Sequence, residues 1–165
     1  ETARLETGKV LTAVQSSPPG VEVKALIRCA PEQMLALLTN YEKMPQHIFG
    51  LERAEVLRSN GNTATVRFTM KLPFPVGRIV WTNLIQTRMV GGITSLEWTL
   101  IDGDLEINDG RLVMMAHRGD SDLTYANYAV RVLSRSALPK SAERLATRWL
   151  LPKIVGKLRR IAEQG

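Results

Sequence analysis

A chain of 165 residues is the size of one domain and is long enough to bury a single core. Its 44% hydrophobic and 23% charged content excludes a disordered chain or a fibre, and no stretch approaches the ~20 consecutive apolar residues that span a bilayer. The net charge of +6 is unevenly placed: from Pro139 to Gly165 seven bases stand against two acids, so this segment carries +5 of the total.

The folded part is therefore expected to be soluble. A lone cysteine, Cys29, excludes an intramolecular disulfide. It reads as a small hydrophobe near a strand end rather than a reactive thiol. The chain opens on Glu1, which is compatible with removal of a targeting segment.

In chain order, residues 1–20 end in Ser-Ser-Pro-Pro-Gly and read as a leader that pairs a short strand near residues 8–14. Residues 21–165 are expected to form the domain proper. A strand covers Val21 to Arg28, with Val21, Val23, Ala25 and Ile27 on one face. Ala30-Pro31-Glu32 then opens a helix, because proline suits the first helical position and an acid suits the positive N-terminal end. A second helical turn covers Tyr41 to Ile48, with an interruption predicted near Pro45.

After Gly50 the period becomes two. Ala64, Val66, Phe68, Met70 and Leu72 alternate with polar residues, the signature of a half-buried strand. A strand over Glu52 to Arg58 precedes it, joined through an Asn60-Gly61 turn in which both central residues need positive φ. Further strands are predicted over residues 78–89, 94–101, 104–117 and 123–132, with glycine turns between them and a bulge or bend at Asp109-Gly110. The segment Pro73 to Gly77 reads as an ordered loop. A helix from Leu138 to about Glu163 carries an apolar stripe (Ala142, Leu145, Ala146, Trp149, Ile154, Leu158, Ile161) opposite its bases. A kink is expected at Pro152.

Successive strands joined by short turns imply an antiparallel meander. The fold class is α+β: a curved antiparallel sheet of about six to seven strands wrapped around a long C-terminal helix, with two short helices after the first strand. This is the helix-grip order, and local residues match it. The run from Ala30 to Pro45, APEQMLALLTNYEKMP, resembles the opening motif of the START-like, polyketide-cyclase and coenzyme Q-binding superfamily. Trp98 to Asp104 resembles its tryptophan–leucine–glycine-aspartate strand, and Leu138-Pro139 with the basic helix resembles its C-terminal element. The match covers residues 21–162. Asn40 stands where members often carry Asp, and Leu112 where many carry Trp.

The resemblance implies a cavity between sheet and C-terminal helix, gated by the loops at residues 41–49 and 73–77. Methionines and aromatics suit a pocket for a flexible apolar ligand. The candidate lining is Phe68, Met70, Trp81, Trp98, Leu100, Met114, Tyr128 and Trp149, with His47 and Phe49 at the mouth. Polar candidates are Asn83, Glu97, Arg111, Tyr125 and Asn127; one sequence does not say which point inward. Neither His47 nor His117 has partners at metal spacing, and no nucleophile elbow, HExxH, P-loop or dinucleotide fingerprint is present. No metal, cofactor or catalytic residue is predicted, although His47 would suit proton transfer if a substrate hydroxyl docked beside it.

The expected function is binding and transport of a hydrophobic small molecule, whether a lipid, an isoprenoid or quinone, or a polyketide-like compound. The alternatives are an aromatase/cyclase-type enzyme and an RNA-binding protein similar to the ribosome-association toxin branch. The basic helix would contact an anionic membrane surface, or else is a solvated face. Nucleic acid is not expected as a partner, since the aromatics are too few and too strand-bound for base stacking. A monomer or weak dimer is expected. The resemblance to exported bacterial members implies a periplasmic or secreted location after signal removal, with the cytoplasm as the alternative.

Overall fold

The period-two sequence folds into one eight-stranded antiparallel sheet in the computed structural model, which describes residues 11–16, 19–72, 77–135, 156–157 and 159–163. The strands are β1 (Leu11–Ser16), β2 (Pro19–Ile27), β3 (Leu51–Asn60), β4 (Thr63–Leu72), β5 (Gly77–Val90), β6 (Ile93–Gly103), β7 (Leu105–His117) and β8 (Asp120–Ser134). That is one more than the six to seven expected, because the N-terminal segment contributes the edge strand β1. Between β2 and β3 lie α1 (Pro31–Thr39), a 3₁₀ turn (Tyr41–Lys43) and α2 (Met44–His47).

The order across the sheet is β1-β2-β8-β7-β6-β5-β4-β3. The last six strands form the expected meander. The non-local step is β2 against β8, with Val21 opposite Val130 and Ile27 opposite Thr124. Thr124, fully buried at the start of β8, donates its hydroxyl to the Cys29 carbonyl at 2.6 Å, which satisfies a buried oxygen where β2 turns towards α1.

Burial follows the sequence pattern. Along β4, Ala64, Val66, Phe68 and Met70 are buried while Thr65, Arg67, Thr69 and Lys71 are not. Val66 and Met114 are fully enclosed, and each such side chain contributes about 1.5–3 kcal/mol of transfer free energy. In α1, Pro31 sits in the first turn, and the Ala30 amide donates to the Gln33 side chain at 3.2 Å, satisfying a donor that the helix leaves orphaned.

The interruption expected near Pro45 is present: the 3₁₀ turn ends at Lys43 and α2 begins at Met44, with Pro45 in its first turn, where an amide would have no intrahelical partner. Two other local expectations are corrected. In the β3–β4 hairpin, Asn60 remains in the strand and only Gly61 has positive φ, the pattern of a II′ turn. No bulge marks Asp109-Gly110. Both residues pair regularly with β8, and the register shifts of that ladder fall at Leu105/Ile107 and Ala116/His117.

The long helix expected over residues 138–163, with its kink at Pro152, lies outside the described residues except at its end. There, Gly156, Lys157 and Arg159 to Ala162 are helical. This end packs against the first half of the fold. Glu163 accepts hydrogen bonds from the Arg28 amide at 3.4 Å and from the Arg159 guanidinium at 2.9 Å, and Ala162 touches the main core. The loop at residues 73–76 is likewise outside the described residues.

Candidate functional site

The concave face of the sheet and the α1–α2 segment enclose a cavity of about 340 Å³, within the range of small-molecule sites. From the sheet come side chains at alternate positions, as a two-residue period requires: Val23, Ala25 and Ile27 of β2, Phe68 and Met70 of β4, Trp81, Asn83 and Ile85 of β5. Across from them, Met34, Leu38, Tyr41, Met44 and Ile48 close the space. The apolar stripe of α1 and the break into a 3₁₀ turn together turn this chain segment over the sheet.

Two aromatic pairs shape the walls. Phe68 and Trp81 face each other in the β4–β5 ladder and stack at 5.4 Å between ring centres. Trp98 on β6 meets Tyr128 on β8 at 5.3 Å, although β7 lies between those strands. Gly110 makes this possible. It is the β7 residue paired with Trp98, and a Cβ there would collide with Trp98 Cζ2 and come within 2.6 Å of the Ala129 carbonyl. The indole crosses β7 over a position that has no side chain. The β6–β7 ladder ends at this pair.

The lining carries no Lys, Arg, His, Asp or Glu among the described residues. Its titratable groups are the phenols of Tyr41 and Tyr128, and burial pushes both above the ordinary tyrosine range. Its other polar groups are Asn83 and Asn108, both buried, with Asn108 Nδ2 donating to Asn83 Oδ1 at 3.5 Å. Trp81 Nε1 is buried without a hydrogen-bond partner among the described residues. No cluster of metal-ligating side chains occurs among those residues.

The candidates named from the sequence divide. Phe68, Met70, Trp81, Trp98 and Tyr128 line the cavity. Met114 is fully enclosed in the core and Leu100 packs on it at the side; neither is in the lining. His47 is partly buried at the end of α2 and Phe49 is half exposed, both outside the lining. Trp149 lies outside the described residues. Of the polar candidates, Asn83 points inward, while Arg111 is exposed and Glu97, Tyr125 and Asn127 lie partly buried outside the lining.

Asn108 went unnoticed from sequence. The register shift between Leu105 and Ile107 separates buried Leu105 from Asn108, Leu112 and Met114, which share one alternating face of β7 beyond it. Tyr41, Met44 and Ile48 fall in the segment expected from sequence as a helical turn and a gate, and the structure adds that their side chains line the cavity.

Neither a protein-family model nor a curated protein matches the sequence. Solved structures do match. Human STARD10 superposes with a TM-score of 0.79 at 13% identity, covering 93% of this chain and 69% of its own. A STAR-related lipid transfer protein from Xanthomonas axonopodis gives 0.80 at 12% identity, covering 93% and 92%. The Zhui aromatase/cyclase from a Streptomyces species gives 0.68 at 12% identity, covering 88% and 93%. At these identities the likeness is one of fold.

Proposed function

We propose that this chain, whose fold is START-like, binds an apolar small molecule in the cavity between sheet and helical segment and acts as its carrier. The observation that carries this reading is the lining: aliphatic, methionine and aromatic side chains with no charged group among the described residues. Such a surface gains free energy by giving up water to an apolar body, about 25 cal/mol per Å² removed from water. The likeness in fold to the STAR-related lipid transfer protein from Xanthomonas axonopodis supports the same reading. The ligand proposed is a lipid, an isoprenoid or quinone, or a polyketide-like compound. Exchange would occur at an anionic membrane surface through the basic C-terminal segment.

A cyclase reading takes support from one observation, the convergence of two polar side chains, Asn83 and Asn108, in the cavity wall. A carboxamide orients a carbonyl but neither gives nor takes a proton near neutral pH. The two phenols are pushed further from that range by burial. Binding therefore fits the cavity better than proton-transfer chemistry.

Native mass spectrometry of the purified protein, coupled to organic extraction, tests the carrier reading. A bound species that passes into the organic phase and is identified as a lipid-class molecule is the expected result. Protein that is repeatedly empty and takes up no added apolar fluorophore overturns it.

A further inference from the structure

We propose that Asn83 and Asn108 form a neutral polar clamp that selects, among apolar ligands, those carrying an uncharged carbonyl or hydroxyl group. This rests on the reading of the cavity as an apolar-ligand site and names the chemistry of the ligand.

The two asparagines come from strands that are not neighbours, since β6 lies between β5 and β7. They meet because β6 and β7 separate. The β6–β7 ladder stops at Trp98–Gly110, while β6 continues along β5 to Gly103. Beyond that fork, Asn108 of β7 reaches Asn83 of β5. Both side chains are more than nine-tenths buried, at 7% and 5% exposure, and both line the cavity.

Between them the carboxamides hold four N–H donors and two carbonyl oxygens. Among the described residues they share a single contact, at 3.5 Å, the long limit of a hydrogen bond. Which amide donates is assigned from that contact and can exchange by flipping both side chains. Most of the donor and acceptor capacity is thus unmet by the described residues and faces the cavity, where a bound molecule can meet it. Trp81, two residues before Asn83 on the same face of β5, adds a buried N–H without a partner among the described residues.

A hydroxyl both donates and accepts, and a carbonyl accepts from amide N–H groups, so either would satisfy groups that the fold leaves unmet. A carboxylate or phosphate would need to leave water without a countercharge, because no cationic side chain lines the cavity among the described residues. The clamp is therefore selective for neutral amphiphiles.

Four probes of twelve carbons each test this: dodecane, dodecanol, 2-dodecanone and dodecanoate, followed by the fluorescence change of the cavity tryptophans. The protein is expected to bind dodecanol and the ketone about tenfold more tightly than dodecane or dodecanoate. In the double variant Asn83→Leu, Asn108→Leu that preference is expected to vanish while dodecane binding holds or tightens. Asn108→Leu alone, which leaves β5 intact, serves if the double variant does not fold. Equal binding of dodecane and dodecanol by the unmodified protein, or a preference that survives in the variant, overturns the clamp and leaves the apolar site standing. Failure of all four probes to bind overturns both.

Discussion

At the scale of single residues, the absence of a side chain decides the shape of one wall. Trp98 reaches Tyr128 only because the strand between them carries Gly110 at the crossing. Gly110→Ala would place a methyl group where the indole and the Ala129 carbonyl already stand. The expected cost is about 1–3 kcal/mol, as for other overpacked sites. It would appear as a lower urea midpoint together with loss of the near-UV dichroism of the Trp98–Tyr128 pair. Retention of both would show that the indole has room to move aside. The glycine was legible in the sequence, but its reason was not: an Asp-Gly pair inside a strand suggests a bulge, and only the neighbouring strands reveal a crossing side chain.

At the scale of elements, the C-terminal segment carries +5 of the net +6 charge. Its described end is anchored: burial acts to raise the Glu163 carboxyl, but hydrogen bonds from Arg159 and the Arg28 amide, with their charges, hold it below the usual range. Arg160, one residue beyond Arg159, remains exposed. If the segment docks on lipid headgroups, each base near the surface contributes about 1 kcal/mol. The protein should therefore co-sediment with vesicles containing anionic lipid at low ionic strength and release as salt shortens the screening length below about 10 Å. Equal pelleting with purely zwitterionic vesicles, or none with either, would remove the membrane from its partners. Strand positions were legible from period-two patterning and turn residues, usually to within one or two residues. The 3₁₀ turn and α2 were legible as helical, but not as a wall of the cavity, because that depends on the path the chain takes over the sheet.

At the scale of the whole molecule, three weak acids among the described residues are shielded from water, Cys29 as a buried residue and Tyr41 and Tyr128 in part. Burial raises the thiol of Cys29 above its ordinary 9.0, with Thr124 acting against it and Glu163 with it. Burial also raises the phenols of Tyr41 and Tyr128 above 10.0. An acid whose folded pKa is raised ionises first in the unfolded chain, so its contribution is complete below the unfolded pKa and declines above it. Stability is expected to be level towards neutral pH and to fall from about pH 9 upward, by at most ~1.4 kcal/mol per pH unit for each group ionised only when unfolded. Urea midpoints measured from pH 7 to pH 10.5 check this, and Tyr128→Phe should flatten the alkaline limb. An unchanged limb in that variant would mean that its phenol has access to water through the cavity.

Local chemistry determined the strands, the helix opening at Pro31, the antiparallel meander and the apolar face of β4, because residue period and turn geometry act over a few residues. The resemblance of short motifs pointed to the same architecture. Only the tertiary structure placed β2 beside β8, since that pairing joins residues about a hundred positions apart and leaves no periodic trace in either strand. It also decided which apolar residues line the cavity and which, like Met114, are core; alternation selects a face of the sheet, while curvature decides whether that face meets protein or open space. The pairing of Asn83 with Asn108 belongs to the same class. It follows from the fork between β6 and β7, which is a property of the assembled sheet.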